Sequence, residues 1–191
     1  MSPVALLSRA MDGRLRPIIR MGHPVLRQRA VEAAPDRFGT RMLRDLGRDL
    51  VRTMHEGNGV GLAAPQIAVG LRAFAYYLPG DDADELPPRV LVNPKLTLLD
   101  EPTELGWEGC LSIPGLRGLV PRHGLIRVDA RDVDGAPLSF EAAGFHARVI
   151  QHEYDHLDGI LFVDRMTDMS SLTFEEEWDE FGTRKDLPVE V

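Results

Sequence analysis

Two histidines four positions apart impose the strongest constraint on what this chain can fold into. They are His152 and His156 in the segment QHEYDHLDG, residues 151–159, and Glu153 directly follows the first of them. Residues at this spacing lie on one face of an α-helix, so both imidazoles can bind the same metal ion. A catalytic metal usually has three protein ligands and one open position. The segment therefore predicts a metal-binding helix whose third ligand lies elsewhere in the chain.

The residues before the histidines indicate which face of this helix is buried. Phe145 and Val149 precede them at helical spacing, so the histidines lie on the core-facing stripe of a helix predicted over residues 143–157. Glu153 and Asp155 fall on opposite sides of that stripe. Glu153 is long enough to reach a metal-bound water, as a general base must. Asp155 is expected to pair with an arginine or with a group that supports the site.

Two regions of the sequence could supply the third ligand. The three glutamates at positions 175–177 lie about one helix length beyond His156, where a thermolysin-like peptidase would have its ligand. Cys110 lies in WEGCLSIPG, residues 107–115, where glycine and proline indicate an unusual backbone. A thiolate and two imidazoles would leave the fourth position free. At this point a peptidase, another metal hydrolase and a catalytically silent metal-binding protein all stay open.

Composition narrows the class of protein. The 191 residues carry a formal net charge of −8 and one cysteine, which argues against direct nucleic-acid binding and against an internal disulfide framework. No apolar run approaches the roughly 20 residues of a membrane helix, so no membrane association is expected. Residues 1–16 resemble a targeting signal only weakly. We expect them to form a disordered leader in a cytoplasmic protein, with an organelle-targeting role left open.

Periodicity predicts a further helix and several strands. Apolar residues recur at three- and four-residue spacing over residues 40–55, although Gly47 weakens that helix. Asn93-Pro94 is interpreted as a turn between two strands. The expected strands at this end of the chain are residues 71–78, 89–92 and 95–99, with an acidic loop at 80–88.

The second half of the chain favours an α+β fold. Alternating apolar residues over residues 126–131 and 138–141, joined by Asp134-Gly135, predict a β-hairpin. Strands that pair through short turns, with two helices far apart in sequence, favour α+β over a doubly wound parallel sheet. The acidic segment FEEEWDEF, residues 174–181, is interpreted as a solvated end rather than a packed helix.

Three motifs in a fixed order resemble the signature of the peptide deformylase family. They are GVGLAAPQ at residues 59–66, EGCLS at residues 108–112 and QHEYDHLDG at residues 151–159. The resemblance implies the peptide deformylase fold, an α+β fold with mixed or antiparallel sheets around a C-terminal HExxH helix. We expect a catalytic domain over residues 17–168 and an acidic C-terminal tail over residues 169–191.

The resemblance also implies a reaction. Enzymes of this family use a divalent metal to activate water, which removes the formyl group from the N-terminal formylmethionine of newly synthesised polypeptides. Glu153 would be the general base and acid, while the side-chain amide of Gln66 and the backbone N–H of Leu111 would stabilise the oxyanion. The matching metal ligands are Cys110, His152 and His156.

The remaining expectations concern the substrate site and the metal. The resemblance places Gly61 where its backbone can hydrogen-bond the substrate, and it gives Glu108 a structural role close to the substrate site. Arg148 lies on the same helix turn as Val149, so we expect it at the rim of the methionine pocket. The expected apolar socket for the methionine side chain consists of Val60, Phe145 and Val149. The family implies iron(II), with nickel or cobalt as substitutes, whereas coordination chemistry alone suits zinc. Expected partners are N-formylmethionyl nascent polypeptides and, transiently, the ribosome.

Overall fold

The computed structural model describes residues 12–79 and 86–181. Within these residues the strands are β1 (Gly61–Ala63), β2 (Ala73–Leu78), β3 (Leu86–Leu98), β4 (Pro102–Cys110), β5 (Ile113–His123), β6 (Leu125–Arg131), β7 (Pro137–Ala143) and β8 (Thr173–Phe174). The α-helices are α1 (Arg41–Glu56), α2 (Gly144–Leu157), α3 (Phe162–Arg165) and α4 (Glu175–Phe181). Short 3₁₀ helices cover Pro24–Arg27, Pro35–Arg37, Ala64–Ile67 and Met169–Ser171.

The strands form two antiparallel sheets. A five-stranded sheet has the order β1-β2-β3-β6-β7, and a three-stranded sheet has the order β4-β5-β8. Helix α2 carries the two histidines and contacts strands of both sheets. The predicted α+β class, with antiparallel sheets around the histidine helix, is confirmed. None of the described helices has the length and apolar character needed to span a lipid bilayer.

Helix α1 forms where the apolar periodicity predicts it. Thr40 caps its N-terminus, with Oγ1 accepting the Leu43 N–H at 3.4 Å, and Gly57 follows its last turn. Gly47 is explained by packing, because a Cβ atom there would lie 3.1 Å from Cγ1 of Val133. Gly47, which weakens the helix, therefore lets α1 pack closely against Val133.

Strand β3 corrects one prediction. The sequence predicts a turn at Asn93-Pro94, but the strand continues through these residues and pairs with β6 on both sides of an irregularity between Val92 and Lys95. Asn93 has a φ of 51°. Its side-chain amide accepts the Ala33 N–H at 2.8 Å and donates to the Ala33 carbonyl at 2.9 Å. These bonds hold the bulge, so the strand is deformed without reversing.

The predicted hairpin is confirmed. Strands β6 and β7 pair from Leu125 opposite Ala143 to Arg131 opposite Pro137. Helix α2 begins directly after β7 at Gly144, within one residue of the prediction. Its apolar face joins a core formed by residues of the inner strands β2, β3 and β6 and of the helix itself: Phe74, Tyr76, Leu91, Ile126, Val128, Ala147, Val149, Ile150 and Leu157.

The C-terminal segment differs from the expected solvated end. Strand β8 pairs with β5, with Leu116 opposite Phe174 and Arg117 opposite Thr173, and α4 follows at once. Trp178 of α4 contacts Trp107 edge to face, with ring centroids 5.8 Å apart. The acidic residues up to position 181 thus belong to a packed element, and positions 182–191 lie outside the described residues.

The expected leader is described only in its last residues. The Arg14 N–H donates to Asp49 Oδ1 at 2.8 Å, and the Arg16 N–H donates to Thr53 Oγ1 at 3.0 Å. These residues are therefore attached to α1. The rest of the leader, residues 1–11, lies outside the described residues, as do residues 80–85 of the expected acidic loop.

Candidate metal centre

A tight hairpin brings Cys110 to the histidine helix. Strand β4 ends at Cys110, and β5 begins three residues later with Ile113 directly opposite it. The thiol sulfur lies 3.3 Å from Nε2 of His156 and 3.4 Å from the backbone nitrogen of Ser112, which donates to it. The turn itself consists of Leu111 and Ser112, while Gly109 lies in β4 and Pro114 in β5.

Cys110 and the two histidines form one cluster of donor atoms. The rings of His152 and His156 lie 5.1 Å apart at an angle of 75°. One donor atom from each of the three residues lies within 4.8 Å of the other two, and no other such group of three occurs in the described part of the chain. The glutamates at 175–177 do not belong to it. The geometry therefore favours Cys110 as the third ligand.

The donor set fits a divalent metal ion. Donors that bind a tetrahedral metal at about 2.0–2.3 Å lie roughly 3–4 Å from one another, as the sulfur and Nε2 of His156 do. Burial lowers the pKa of His156 well below its ordinary value, with the charges of His152 and Arg122 acting in the same direction. Burial also opposes a charge on His152, but hydrogen bonds to Cys110 and Glu108 raise its pKa overall. Metal binding would displace that proton.

Glu108 fixes the orientation of His152. Its Oε2 lies 2.9 Å from Nδ1 of His152, while Arg122 donates to both carboxylate oxygens at 2.8 and 2.9 Å. Arg148 adds a further bond at 3.0 Å. Burial alone would raise the pKa of Glu108, but Arg122 and His152 outweigh it and hold that pKa far below its usual range. Glu108 is thus a charged anchor that leaves Nε2 of His152 to face the donor cluster.

The position of Glu108 agrees with the structural role expected for it, whereas the expected position of Arg148 is wrong. Glu108 is fully buried and does not line the cavity beside the metal cluster, so its position suits support of His152 and not contact with substrate. Arg148 does not lie at the rim. It is buried, and besides Glu108 its guanidinium donates to the backbone carbonyls of Glu104, Gly106 and Val120.

Asp155 pairs with arginines, as predicted. Its carboxylate accepts from Arg122 at 2.6 Å and from Arg165 at 2.7 and 3.1 Å. Arg122 therefore links Asp155 to Glu108 and, through it, to His152. Arg122 is not among the site residues expected from the sequence, although an arginine on the apolar side of an alternating strand indicates a buried charge that needs partners.

Glu153, unlike Glu108 and Asp155, is a buried carboxyl group that pairs with no arginine among the described residues. Its side chain is 2% exposed and lines the cavity, and Oε2 has no hydrogen-bond donor among the described residues. Burial raises the pKa of this carboxyl group to about 7, although the neighbouring His152 opposes the shift. Such a group can hold or release a proton near neutral pH.

Gln66 is held in a fixed orientation at the same site. Its Oε1 accepts the Ala63 N–H at 2.7 Å, and its Nε2 lies 3.3 Å from Oγ of Ser112 and 3.6 Å from the sulfur of Cys110. The side chain is 1% exposed. The amide N–H groups of Gln66 are therefore directed at the donor cluster.

The glycines of the first motif are needed for space. Neither Gly59 nor Gly61 has a positive φ. A Cβ atom on Gly59 would lie 2.7 Å from Cδ1 of Leu111, and one on Gly61 would lie 2.7 Å from Cδ of Glu153. These glycines therefore let Leu111 and Glu153 pack against the backbone, a reason that composition alone does not reveal.

A cavity of about 330 Å³ opens over the donor cluster. Val60, Gly61 and Leu111 belong to its wall together with Gln66 and Glu153. Val149 belongs to a buried hydrophobic core cluster, and Val60 and Phe145 both pack against that cluster. The structure thus brings the three residues of the expected methionine socket into one apolar group, of which Val60 reaches the cavity.

Comparison with known proteins agrees with this geometry. Residues 15–171 match the sequence profile of the polypeptide deformylase family. The chain is 47% identical over 159 residues to Peptide deformylase 1 of Nitrosomonas europaea, covering 81% of this chain and 89% of that protein. It is 44% identical over 164 residues to Peptide deformylase 2 of Pseudomonas syringae, covering 84% and 92%.

The chain belongs to the peptide deformylase family.

Solved structures extend the likeness to three dimensions. A class I type b peptide deformylase from Acinetobacter baumannii with Met-Ala-Ser bound has a TM-score of 0.73 at 36% identity, covering 81% of this chain and 99% of that one. Peptide deformylase from Thermotoga maritima gives 0.73 at 34% identity, with 81% and 99% covered. This chain is therefore an enzyme that removes formyl groups from N-terminal methionine, and the peptidase alternative is set aside.

Proposed function

We propose that this deformylase acts through a divalent metal held by Cys110, His152 and His156, with Glu153 transferring the proton. The observation that supports this most directly is the unpaired Oε2 of Glu153, buried in the same cavity as three donors within 4.8 Å of one another. A bound metal would supply Lewis acidity, which lowers the pKa of a coordinated water to about 7.

Glu153 would carry the proton through both halves of the reaction. Its carboxylate accepts a proton from the attacking water as the water oxygen bonds to the formyl carbon. The same proton then passes to the methionine nitrogen as the formyl C–N bond breaks, which yields the free amine and formic acid, and formic acid loses its own proton to the solvent to give formate. The pKa of about 7 suits a group that must both accept and donate.

Gln66 and Leu111 would stabilise the negative charge on the formyl oxygen. The amide of Gln66 is already oriented by Ala63 and Ser112, and Leu111 is the cavity residue directly after Cys110. Preorganised donors of this kind contribute about 3 kcal/mol each. A closed structural metal site would have no use for either Gln66 or Glu153, which argues against a catalytically silent protein.

The substrate is proposed to be the formylmethionyl end of a nascent polypeptide. Val60, Phe145 and Val149 would receive the methionine side chain, and the backbone of Gly61 would hydrogen-bond the peptide. The relative from A. baumannii binds Met-Ala-Ser, the peptide that loss of formate from formyl-Met-Ala-Ser would leave. We further propose the cytoplasm as the compartment and a transient encounter with the ribosome.

Iron(II) is the proposed metal, on the family resemblance, with nickel, cobalt or zinc able to occupy the same donors. Elemental analysis of protein purified without oxygen tests this choice. Iron in near-equal molar ratio to protein is expected, and stoichiometric zinc with full activity in air would contradict it.

Formate release tests the proposed reaction. Formyl-Met-Ala-Ser should yield formate and intact Met-Ala-Ser, whereas an acetyl-Met-Ala-Ser control should react far more slowly because its additional methyl group crowds the cavity beside Cys110. Comparable rates for both peptides would contradict this substrate assignment.

Metal content tests the proposed ligands separately. Cys110→Ala leaves two imidazoles and should lose both metal and activity. A matched variant in which the glutamates at 175–177 become glutamines should keep its metal. The opposite result would place the third ligand in the C-terminal segment.

A further inference from the structure

The two proposed oxyanion donors come from separate parts of the fold. Gln66 lies in the 3₁₀ helix that follows β1 of the five-stranded sheet, whereas Leu111 lies in the turn between β4 and β5 of the three-stranded sheet. Two donors stabilise an oxyanion only when both are directed at the same oxygen atom, so their relative position determines how well they work. The fold must therefore hold these two elements in a fixed arrangement.

A segment near the N-terminus bonds to both elements. In residues 18–21, which we call the bridging segment, the Ile19 N–H donates to the backbone carbonyl of Gln66 at 2.9 Å, and the Met21 N–H donates to the backbone carbonyl of Ser112 at 2.8 Å. Alternate N–H groups of an extended chain point to the same side, so positions 19 and 21 can bond to two neighbouring elements at once. The bridging segment thus joins the two elements that carry the donors.

Contacts on either side hold the bridging segment in place. Ile18 packs against a hydrophobic cluster formed largely by residues of α1 and β2, and Leu111 packs against the same cluster. Beyond the segment, the 3₁₀ helix Pro24–Arg27 contacts the 3₁₀ helix Ala64–Ile67. Before it, backbone bonds attach the chain to α1. The bridging segment is therefore fixed at both ends.

Ser112 connects the bridging segment to the donor cluster. Its Oγ accepts a hydrogen bond from Nε2 of Gln66 at 3.3 Å, and its N–H donates to the sulfur of Cys110 at 3.4 Å. Ser112 is fully buried. Because its hydroxyl engages one N–H of the Gln66 amide, the other N–H stays directed at the donor cluster. A movement of Ser112 would therefore turn the Gln66 amide and shift the turn that carries Leu111.

We propose that the bridging segment is a positioning element for the oxyanion donors of the deformylase reaction. This inference rests on the proposed function, because it assumes that Gln66 and Leu111 stabilise the negative charge on the formyl oxygen. The N–H groups of Ile19 and Met21 hold these two donors in the arrangement that the charge requires. The segment acts through them, since none of residues 18–21 lines the cavity over the donor cluster.

The timing of the charge on the formyl oxygen gives the expected effect a specific kinetic form. That charge develops in the transition state, so misaligned donors weaken binding of the transition state more than binding of the peptide. The values of kcat and kcat/KM should therefore fall together while KM stays near its original value. A segment that only stabilised the fold would lower the unfolding midpoint and leave kcat of the folded enzyme unchanged.

The test removes one hydrogen bond and keeps every side chain. Incorporation of the α-hydroxy acid analogue of isoleucine at position 19 replaces the Ile19 N–H with an ester oxygen. With formyl-Met-Ala-Ser as substrate, kcat should fall about 3- to 30-fold, below the roughly 100-fold loss that a displacement of about 1 Å can cause. KM, inhibition by the product Met-Ala-Ser and bound metal should stay near wild type. The corresponding ester at Met21 breaks the bond to Ser112 and should have the same kind of effect.

Two controls separate positioning from general damage. The same ester at position 20 is the matched control, because the Arg20 N–H donates to no acceptor among the described residues, and kcat should not change. Gln66→Ala should itself lower kcat about 100-fold or more. In that background the Ile19 ester should cause a much smaller further loss, because one of the two donors that it positions is gone.

Three outcomes would overturn the proposal while leaving the deformylase mechanism intact. They are a wild-type kcat in the Ile19 and Met21 esters, an equal loss of kcat in the Arg20 ester, and an undiminished further loss in the Gln66→Ala protein. Gln66→Ala with a wild-type kcat would overturn both the proposed oxyanion role of Gln66 and the inference that rests on it.

Discussion

Glu108 and Glu153 are two buried carboxylates beside the same histidine, and they lie in opposite surroundings. Glu108 accepts hydrogen bonds from Arg122 and Arg148 and pairs with His152, and its pKa is held low. Glu153 Oε2 has no donor among the described residues, and burial raises the pKa of this group to about 7.

This difference in surroundings distinguishes a carboxylate that holds its neighbours in place from one that can take part in the reaction. A buried carboxylate with full charge compensation stabilises one orientation of its neighbours, because removing either partner leaves an unpaired charge. A buried carboxylate without a partner is costly to ionise, and it persists where a ligand or a proton is its functional partner. Glu108 belongs to the first kind and Glu153 to the second. Substitutions at the two positions should therefore have separable effects on turnover, metal affinity and stability.

The largest effect is expected on turnover from Glu153→Gln. The amide cannot accept a proton from water, so formate release should fall about 100-fold or more. Bound metal and the unfolding midpoint should stay near wild type, because no partner in the described structure is lost. Elemental analysis, urea unfolding and a formate assay on one preparation measure all three. Asp155→Asn is the matched control, and a larger loss of turnover there, with metal retained, would show that the wrong carboxylate has been assigned the proton.

Glu108→Gln should affect metal affinity and stability more than the proton transfer itself. The substitution leaves buried Arg148 without a carboxylate partner and leaves Arg122 with Asp155 alone, and breaking a buried pair of this kind costs about 3–5 kcal/mol. Loss of the bond to His152 should weaken metal binding by about 10- to 100-fold. Chelator competition and chemical unfolding measure the two effects. Glu104→Gln, an exposed change on the same strand, should alter neither, and a harmless Glu108→Gln would remove the distinction between the two carboxylates.

A smaller effect on the free energy of unfolding is expected at the exposed end of the ion-pair network formed by Glu108, Arg122, Asp155 and Arg165. Arg165 is bidentate to Asp155, but its side chain is 46% exposed, so Arg165→Gln should cost about 1 kcal/mol or less. Arg122→Gln removes the buried counterpart of Asp155 and should cost several times more. Similar unfolding free energies for the two variants would mean that burial does not determine the strength of this network.

The smallest effect concerns a further titratable group on α2, His146, which is remote from the donor cluster. His146 packs on Phe140 and lies 3.2 Å from the hydroxyl of Tyr76, and burial, with the nearby charge of Arg89, lowers its pKa to about 4. Because the unfolded chain binds this proton at higher pH, His146 should reduce stability as pH falls from about 6.5 to about 4. His146→Phe should flatten that part of the stability profile. An NMR titration of the wild-type imidazole with a midpoint near 6.5 would contradict the prediction.

Local patterns were sufficient for helices α1 and α2 and for the β6–β7 hairpin. Apolar spacing located α1 and α2 within about one residue of their observed starts, because a helical face is set by neighbours three and four positions away. The order of three short motifs was sufficient for the family. Both signals lie within short stretches of chain, so they can be read before any tertiary contact is known.

Longer-range contacts account for what the sequence analysis missed. Asn93-Pro94 has the composition of a turn, but the amide of Asn93 bonds to Ala33, 60 residues away, and β6 pairs on both sides of the bulge. The acidic residues from 175 onward look solvated until Arg117 and Trp107 are placed against them. Each of these elements is stabilised by partners that lie far off in sequence.

The site shows the same division between sequence and tertiary structure. The sequence by itself determined that two imidazoles share a helix face with a glutamate beside them, because helical geometry fixes those relations locally. The motif resemblance implied Cys110 as the third ligand, but only the tertiary structure shows that its sulfur, and not a glutamate at 175–177, lies beside the two imidazoles. Only the tertiary structure shows, too, that Glu108 is paired while Oε2 of Glu153 has no partner among the described residues. A carboxylate's function depends on which charges surround it, and those charges come from β4, β5 and α2, which meet only when the chain has folded.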